Sequence, residues 1–224
     1  MKAVPTLILV VGMSLFTACQ SNREKPMVRF GPIPEYREKT SLFELIDHEN
    51  APEDMPEWVS RYINAGINGI EGLPEYADSY VFIGMQRGSN QDSLKLWADS
   101  FSLDRDFPRL VSARVQARFS AFANGNPDEE FGRYFERVVK NTIDAAFEGV
   151  IQESSYWIKK RTFDDDGLNP TGEVYEYYIL TRIPRDALEN QINLLLITAR
   201  TDLPPTRDQS AAAMRLRLNF FDGF

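Results

Sequence analysis

The sequence predicts an α+β domain in which several helices pack on one face of a small, mostly antiparallel sheet. A β-branched and aromatic segment comes first, and two segments with apolar residues at helical spacing follow it. Two further strand-like segments then flank a turn rich in Asp and Gly, before another helical segment. Helices that run beside a hairpin are typical of this class. The chain has 224 residues, and we expect residues 41–224 to form a single domain.

Residues 1–18 have the layout of a secretory signal peptide. Lys2 is a short positive region, Ala3–Phe16 is apolar, and small residues lead to Cys19. The segment L-F-T-A-C resembles the lipobox of bacterial lipoproteins, although Phe16 stands where that motif prefers Leu. The resemblance implies cleavage before Cys19 and lipid on its thiol. A plain signal peptide or an uncleaved anchor is the alternative. Stable anchoring needs several acyl chains, which such a modification supplies.

The composition limits the kinds of site and partner that the chain after residue 18 can have. Cys19 is the only cysteine and His48 the only histidine, which argues against disulfides, zinc sites and Ser-His-Asp catalysis. The formal net charge of −8 disfavours nucleic acid as a partner and gives no general attraction to anionic lipid. Residues 19–40 are polar, contain three prolines and predict a flexible, lipidated tether.

The first half of the domain predicts two short helices, one strand and a longer helix. Ser41–Ile46 is expected to be a short helix. Glu57–Ile63, after a turn rich in Pro and acids, is expected to be another short helix or a docked segment. Ser79–Met85 is a β-branched and aromatic strand, and Gly88 is expected in the turn after it. Asn90–Phe101 then predicts a helix.

The second half predicts a helical pair, a hairpin and a final helical region. Phe107–Ala123 has apolar residues at intervals of three and four, and residues 126–149 begin with Asn-Pro and acids, as helices do. Val150–Phe163 and Glu173–Ile183 are strand-like and predict an antiparallel hairpin with a long loop. A helix follows from Pro184. A last helix is expected over Thr206–Phe221.

Several motifs together suggest a family. They are P-E-W-V at Pro56–Val59, F-I-G at Phe82–Gly84, the Tyr156–Trp157 pair and the Tyr-rich strand at Glu173–Pro184. The chain between Pro56 and Ile197 resembles small bacterial outer-membrane lipoproteins of the twenty-kilodalton antigen type. These are related to the N-terminal domain of flagellar ring-associated T proteins and, more distantly, to lipoprotein activators of penicillin-binding proteins. The resemblance implies helices on a small sheet, no known catalysis and a role in envelope assembly or protein contact.

Candidate catalytic and metal-binding motifs are weak. Asp164–Gly167 offers three carboxylates, but they are consecutive and the twelfth residue is Tyr175, unlike a calcium-binding EF-hand; a solvated hairpin tip is expected. His48 is expected to be exposed in an acidic turn. Ser154–Ser155 lacks a nucleophile motif, and Gly84–Gly88 lacks the Lys of a phosphate-binding loop. We therefore expect no catalytic, cofactor-binding or metal-binding residues.

The predicted hairpin is unusually aromatic. It contains Tyr156, Trp157, Tyr175, Tyr177 and Tyr178. Because side chains alternate along a strand, Tyr175 and Tyr177 share one face, and Tyr178 lies on the other. One set is expected in the core, and the other is free to form a protein interface or a glycan platform. A C-terminal apolar group is expected to dock on the domain or on a partner. Its members are Leu216, Leu218, Phe220, Phe221 and Phe224.

These observations favour a membrane-anchored envelope lipoprotein with a non-catalytic role in protein interaction or assembly. The expected partners are a membrane, through lipid on Cys19, and an envelope protein. Gln20 after the cysteine is not the Asp that retains enterobacterial lipoproteins in the inner membrane, which favours the periplasmic face of the outer membrane. Two alternatives are a periplasmic carbohydrate-active hydrolase with paired carboxylates and a small-ligand or lipid-binding module.

Overall fold

A computed structural model describes residues 43–199, except Pro52 and residues 123–128, together with isolated positions after residue 206. The predicted signal peptide, the tether with Cys19, the Asn-Pro helix start and most of the predicted last helix lie outside these residues. The elements are β1 (Phe43–His48), α1 (Glu57–Glu71), a 3-10 turn (Pro74–Tyr76), β2 (Ser79–Gly88), α2 (Gln91–Asp99), α3 (Leu103–Phe122), α4 (Glu129–Ile143), β3 (Ile151–Phe163), β4 (Pro170–Pro184) and α5 (Arg185–Thr198). They confirm the α+β class.

The four strands of the described region form one antiparallel sheet in the order β1-β3-β4-β2. The predicted hairpin is confirmed as β3 and β4. The predicted helix at Ser41–Ile46 is wrong, because Phe43–His48 is an edge strand paired with β3. The apolar and polar residues of this short segment fit both the helical spacing and the alternation of a strand. The pairing with β3, more than a hundred residues away in the sequence, selects the strand.

Helices cover both faces of the sheet, so the expectation of helices on a single face is also wrong. Tyr80 and Phe82 of β2 pack with α3, α4 and α5 in one core. Val81 of β2 faces the other way and packs with α1 in a second core. Alternating residues of one strand therefore supply two cores, as the period of two in a strand requires. The first core also contains Phe107, Val111, Val115 and Phe119, at helical spacing on α3.

Several helices and strands differ from their predicted bounds. α1 continues past Ile63 to Glu71 through a kink at Gly66, whose φ of 63° suits glycine. α4 ends at Ile143 rather than at 149. β2 includes Gly88, which was expected in a turn. Within the described residues, no helix combines the length and apolar character needed to span a bilayer.

Candidate functional site

The side chains of β1, β3 and distal β4 that point to the same side as Tyr80 and Phe82 form an open surface. Among the described residues, the helices that pack on the sheet contact mainly β2 and β4. We call this surface the Trp157 face. Its members are Glu44, Asp47, Ser155, Trp157, Lys159, Arg161, Glu173 and Tyr175, each exposed or half-buried.

The antiparallel register brings these side chains together. Every second residue of β3, from Ser155 to Arg161, points to this side. Lys159 lies opposite Tyr175, and Arg161 lies between Glu173 on β4 and Glu44 on β1. Residues directly opposite each other in antiparallel strands have Cβ atoms about 5 Å apart, which lets their side chains interact. The face is therefore a regular consequence of strand pairing rather than of loop conformation.

An aromatic pair lies at the centre of the face. The ring centroids of Trp157 and Tyr175 are 5.9 Å apart, and their planes are tilted by 56°. The Lys159 ammonium lies 5.2 Å from the centroid of the Tyr175 ring. Cations at such distances are attracted to the negative face of an aromatic ring. The pair thus has an ordered geometry although neither ring is fully buried.

A chain of ion pairs borders the aromatic pair. The Arg161 guanidinium lies 3.0 Å from a carboxylate oxygen of Glu44 and 3.0 Å from one of Glu173. Lys159 Nζ lies 2.7 Å from the other oxygen of Glu173. Hydrogen bonds from Lys159 and Arg161 hold the pKa of the Glu173 carboxyl below its ordinary value. Two cations and two carboxylates alternate in this chain of ion pairs, and each charge has a partner of opposite sign.

A buried carboxylate fastens the sheet on its opposite face. Glu176 of β4 is only 1% exposed. Lys160 Nζ of β3 lies 2.7 Å from one of its oxygens, and Arg87 Nε of β2 donates to the other at 2.8 Å. The Tyr178 hydroxyl donates to the same carboxylate oxygen that Lys160 contacts. Burial alone would raise the pKa of Glu176, but the hydrogen bonds from Lys160 and Tyr178 and the charges of Lys160 and Arg87 hold it below its ordinary value. One carboxylate thereby ties three strands together.

His48 joins β1 to β3 rather than lying exposed in a turn. It is the last residue of β1 and is half-buried. Its Nδ1 atom lies 2.8 Å from the Tyr156 hydroxyl, which also donates to the Glu49 carbonyl oxygen. The prediction of an exposed His48 is therefore wrong. The ring is held by a tyrosine hydroxyl and a backbone carbonyl, an arrangement that fixes the end of the edge strand β1.

The remaining motifs occupy structural positions. The Asp164 carboxylate accepts hydrogen bonds from the backbone N–H groups of Leu168 and Asn169, at 3.0 and 3.3 Å, and so shapes the exposed hairpin loop. The Ser154 hydroxyl is buried and has no hydrogen-bond partner, so no base activates it in this structure. The residues 84–88 lie in β2 and form no loop. Among the described residues, no group of three or more His, Cys, Asp or Glu side chains could hold a metal ion.

Sequence reasoning found the aromatic pair but missed its ionic surroundings and Glu176. The sequence did contain one signal, which is Glu176 in the middle of the run E-V-Y-E-Y-Y-I-L. A buried strand tolerates a carboxylate only where positively charged side chains contact it. Searches of protein-family models, curated proteins and solved structures found no significant match. The resemblance to outer-membrane lipoproteins stays a prediction.

Proposed function

We propose that this chain is a lipid-anchored envelope protein that binds another protein through the Trp157 face and has no catalytic activity. The observation that carries the proposal is the contact between the half-buried Trp157 and Tyr175, on a surface where no helix in the described part of the chain packs extensively on β3. Trp and Tyr bury large areas with little loss of side-chain freedom. An ordered, half-exposed pair of these rings is therefore well suited to a binding surface.

The residue types of the face match those that dominate protein–protein binding. Trp, Tyr and Arg are the side chains enriched at energetic hot spots, and the face contains Trp157, Tyr175 and Arg161 side by side. Ion pairs at its border hold their long side chains in place before a partner arrives, which reduces the entropy lost on binding. The tilt of 56° between the rings interrupts any flat platform, which favours a protein surface over the broad C–H face of a sugar ring.

The carboxylates of the face are poorly suited to glycan hydrolysis. A general acid needs a raised pKa, so that it carries a proton near neutral pH. The pKa of Glu173 is instead lowered by Lys159 and Arg161. Glu44 is paired with the same arginine at 3.0 Å. These charges favour the interaction role over the alternative of a carbohydrate-active hydrolase.

The membrane part of the proposal comes from the sequence. The lipobox-like segment predicts lipid on Cys19, and the polar, proline-containing residues 19–40 predict a tether long enough to hold the domain away from the bilayer. The residue after Cys19 favours the outer membrane. In this arrangement the domain diffuses in the plane of the membrane, where a partner in the same envelope is concentrated.

Capture from detergent-solubilised envelope tests the interaction. We expect the wild-type chain to retain a specific protein and Trp157→Ala to retain at least about thirtyfold less, the loss typical of a hot-spot aromatic. Trp97→Ala is the matched control, because Trp97 is also half-buried but lies on α2. No captured protein, or equal capture by both variants, would contradict the proposal. Mass spectrometry of the mature N-terminus tests the anchor independently: acylated Cys19 is expected, and an intact Met1 refutes it.

A further inference from the structure

The outer edge of β1 directs backbone hydrogen-bonding groups away from the sheet. In an antiparallel pair, alternate residues direct both their N–H and C=O groups towards the partner strand, and the residues between them direct both away. The Glu49 N–H donates to the Trp157 carbonyl at 3.1 Å, so every second residue of β3 from there onwards faces β1. Glu44 lies opposite one of these residues. Phe43 and Leu45, on either side of it, therefore direct their backbone groups outward.

The end of this edge is closed, whereas its beginning is open. The outward N–H of His48 donates to the Asp47 carboxylate at 2.9 Å, and its carbonyl oxygen accepts from the Ala51 N–H at 3.3 Å. Among the residues that the structure describes, none is hydrogen-bonded to the outward groups of Phe43 and Leu45. Unpaired groups at a sheet edge are a template for a further strand. The edge thus offers a short site for strand addition.

The side chains of Phe43 and Leu45 make one side of this edge apolar. They are 38% and 36% exposed. They lie opposite Thr162 and Lys160, on the side of the sheet that contains Glu176. The Lys160 ammonium, held by that buried carboxylate, lies 4.1 Å from the centroid of the Phe43 ring. Apolar side chains of an added strand would remove this exposed apolar surface from water.

The other side of the edge is acidic and belongs to the Trp157 face. Glu44 and Asp47 point to this side, because they lie opposite Arg161 and Lys159. Glu44 is paired with Arg161, whereas Lys159 is paired with a carboxylate of β4. Asp47 is exposed and, within the described part of the chain, forms no ion pair. A cation on an added strand would supply a partner of opposite charge.

We propose that a partner protein adds an extended segment to the edge of β1, and that this segment alternates basic and apolar residues. Its backbone pairs with the outward groups of Phe43 and Leu45, as in other cases of strand addition. Its apolar side chains cover those of the same two residues, and its cations face Glu44 and Asp47. Because alternate residues of a strand point to opposite faces, a single alternating segment meets both requirements.

An added strand would extend the Trp157 face by one strand. The proposal rests on the proposed binding function of that face and names the chemistry of the segment that the partner brings. Trp157 lies on β3, which is the neighbour of β1, so an added strand lies two strand spacings from the aromatic pair, about 10 Å. One partner can therefore contact the edge and the face together.

Two other occupants have to be distinguished from a partner segment. A second copy of the chain, paired edge to edge, would bring the carboxylates of both β1 strands together on one face, and like charges there destabilise the pairing. Residues 215–218 of the chain itself are Arg-Leu-Arg-Leu, which has the required alternation. We favour the partner because β1 continues the surface to which the proposed function assigns a partner protein.

Amide hydrogen exchange measured by NMR tests the pairing on the full chain in detergent. The probe is a fluorescein-labelled peptide of alternating Val and Lys, and the control peptide has Glu in place of Lys. We expect the Lys peptide to slow exchange at Phe43 and Leu45 at least about tenfold, because both N–H groups gain a hydrogen bond. Exchange at Glu44, whose N–H is directed to β3, should change little. Absence of this alternating pattern at saturating peptide would overturn the proposal.

Charge variants test the acidic side of the edge by fluorescence polarisation. Asp47→Lys should weaken binding of the Lys peptide at least about threefold and strengthen binding of the Glu peptide, because an attraction becomes a repulsion. Asp47→Asn keeps an oxygen for the His48 N–H and should show a smaller loss. Asp99→Lys is the matched control, because Asp99 is exposed at the end of α2. Equal effects of the two Lys variants would assign binding to net charge and overturn the proposal.

Two variants of Leu45 separate backbone pairing from side-chain contact. Leu45→Pro removes the outward N–H but none of the hydrogen bonds to β3, which is where an edge strand tolerates proline. It should lower the affinity for the Lys peptide at least about tenfold, whereas Leu45→Ala, which keeps the N–H, should lower it less. Slow exchange at Glu44 in Leu45→Pro verifies that β1 is still paired. Equal losses in the two variants would overturn strand addition.

Exchange at Leu45 in the chain without peptide separates the competing occupants. Fast exchange at all protein concentrations is expected. Protection that increases with protein concentration would show a second copy at the edge, and protection that disappears when residues 215–224 are deleted would show the chain's own tail. Either result would overturn the proposal of a partner segment.

The proposed function and this inference fail in different ways. Envelope capture that is lost in Trp157→Ala, together with unchanged exchange at Leu45 in the presence of the Lys peptide, would overturn the inference alone. Slowed exchange at Leu45 with the Lys peptide, together with no captured protein, would contradict the proposed function and support the site of strand addition.

Discussion

Replacing the buried carboxylate of Glu176 tests how the sheet is held together. Glu176→Gln keeps the shape of the side chain but removes its charge, while Lys160 and Arg87 remain beside it. The substituted amide can accept a hydrogen bond from one cation but cannot neutralise two. Its N–H₂ group is itself a donor, and it would face the N–H and O–H donors whose hydrogen bonds the carboxylate oxygens accept. Two positive charges would then lie close together near the second core.

The expected cost follows from the exposure of the partners. Removing one member of a buried ion pair costs about 3–5 kcal/mol, because the other charge is left unpaired. The Lys160 side chain is only 12% exposed and bears most of this penalty, whereas Arg87, at 48%, can turn towards water. We therefore expect a loss near the lower end, about 3 kcal/mol, in the free energy of unfolding.

Urea unfolding as a function of pH gives the measurement. Because the pKa of Glu176 is lower in the folded state, its stabilisation is fully present above the ordinary value of 4.5 and is lost as pH falls through the folded pKa. The difference between wild type and Glu176→Gln should thus be constant near neutral pH and shrink below 4.5. Glu173→Gln is the control, since that carboxylate is exposed and its pairs are screened by solvent.

Two results would refute this reasoning. If Glu176→Gln unfolds at the same urea concentration as wild type at neutral pH, the cluster is already solvated and contributes little. If the difference between the two proteins grows as pH falls, the carboxyl pKa is raised rather than lowered by its surroundings. Glu173→Gln should change the unfolding midpoint far less than Glu176→Gln. An equal change would assign the effect to surface charge.

Three further substitutions probe the packing of the helices. Gly84→Ala should lower the free energy of unfolding by about 1–3 kcal/mol, because the added Cβ would lie 2.9 Å from the Phe101 ring; an unchanged thermal midpoint would contradict this. Tyr134→Phe should cost about 1 kcal/mol in urea unfolding, because the hydroxyl donates to the Leu196 carbonyl at 3.0 Å in a buried site. Burial, and then a carboxylate acceptor on α5, raise the pKa of Tyr80 to about 12, so its stabilisation is present below pH 10 and lost as pH rises through 12. Tyr80→Phe should therefore flatten the alkaline part of the stability curve, and a curve as steep as that of wild type would disagree.

The elements that the sequence predicted well have strong local patterns. The helix at Phe107–Ala123 has apolar residues at intervals of a helical turn, and most of them are buried in α3. The strand at Ser79–Met85 is dense in β-branched and aromatic residues and is confirmed as β2. The error at Ser41–Ile46 arose where the segment was short, so that the distant pairing with β3 decided its conformation.

The site was harder to predict, because exposure varies along a strand as well as between its faces. Tyr175 and Tyr177 share a face, as expected, yet Tyr177 is 8% exposed whereas Tyr175 is half-buried. Helix α2 packs on β2 and β4, and Leu94 of α2 lies beside Gly88, the residue paired with Tyr175, whereas no helix of the described region has its main contacts on β3. Alternation in the sequence gives the face of a side chain, but the length and position of a covering helix are properties of the tertiary structure.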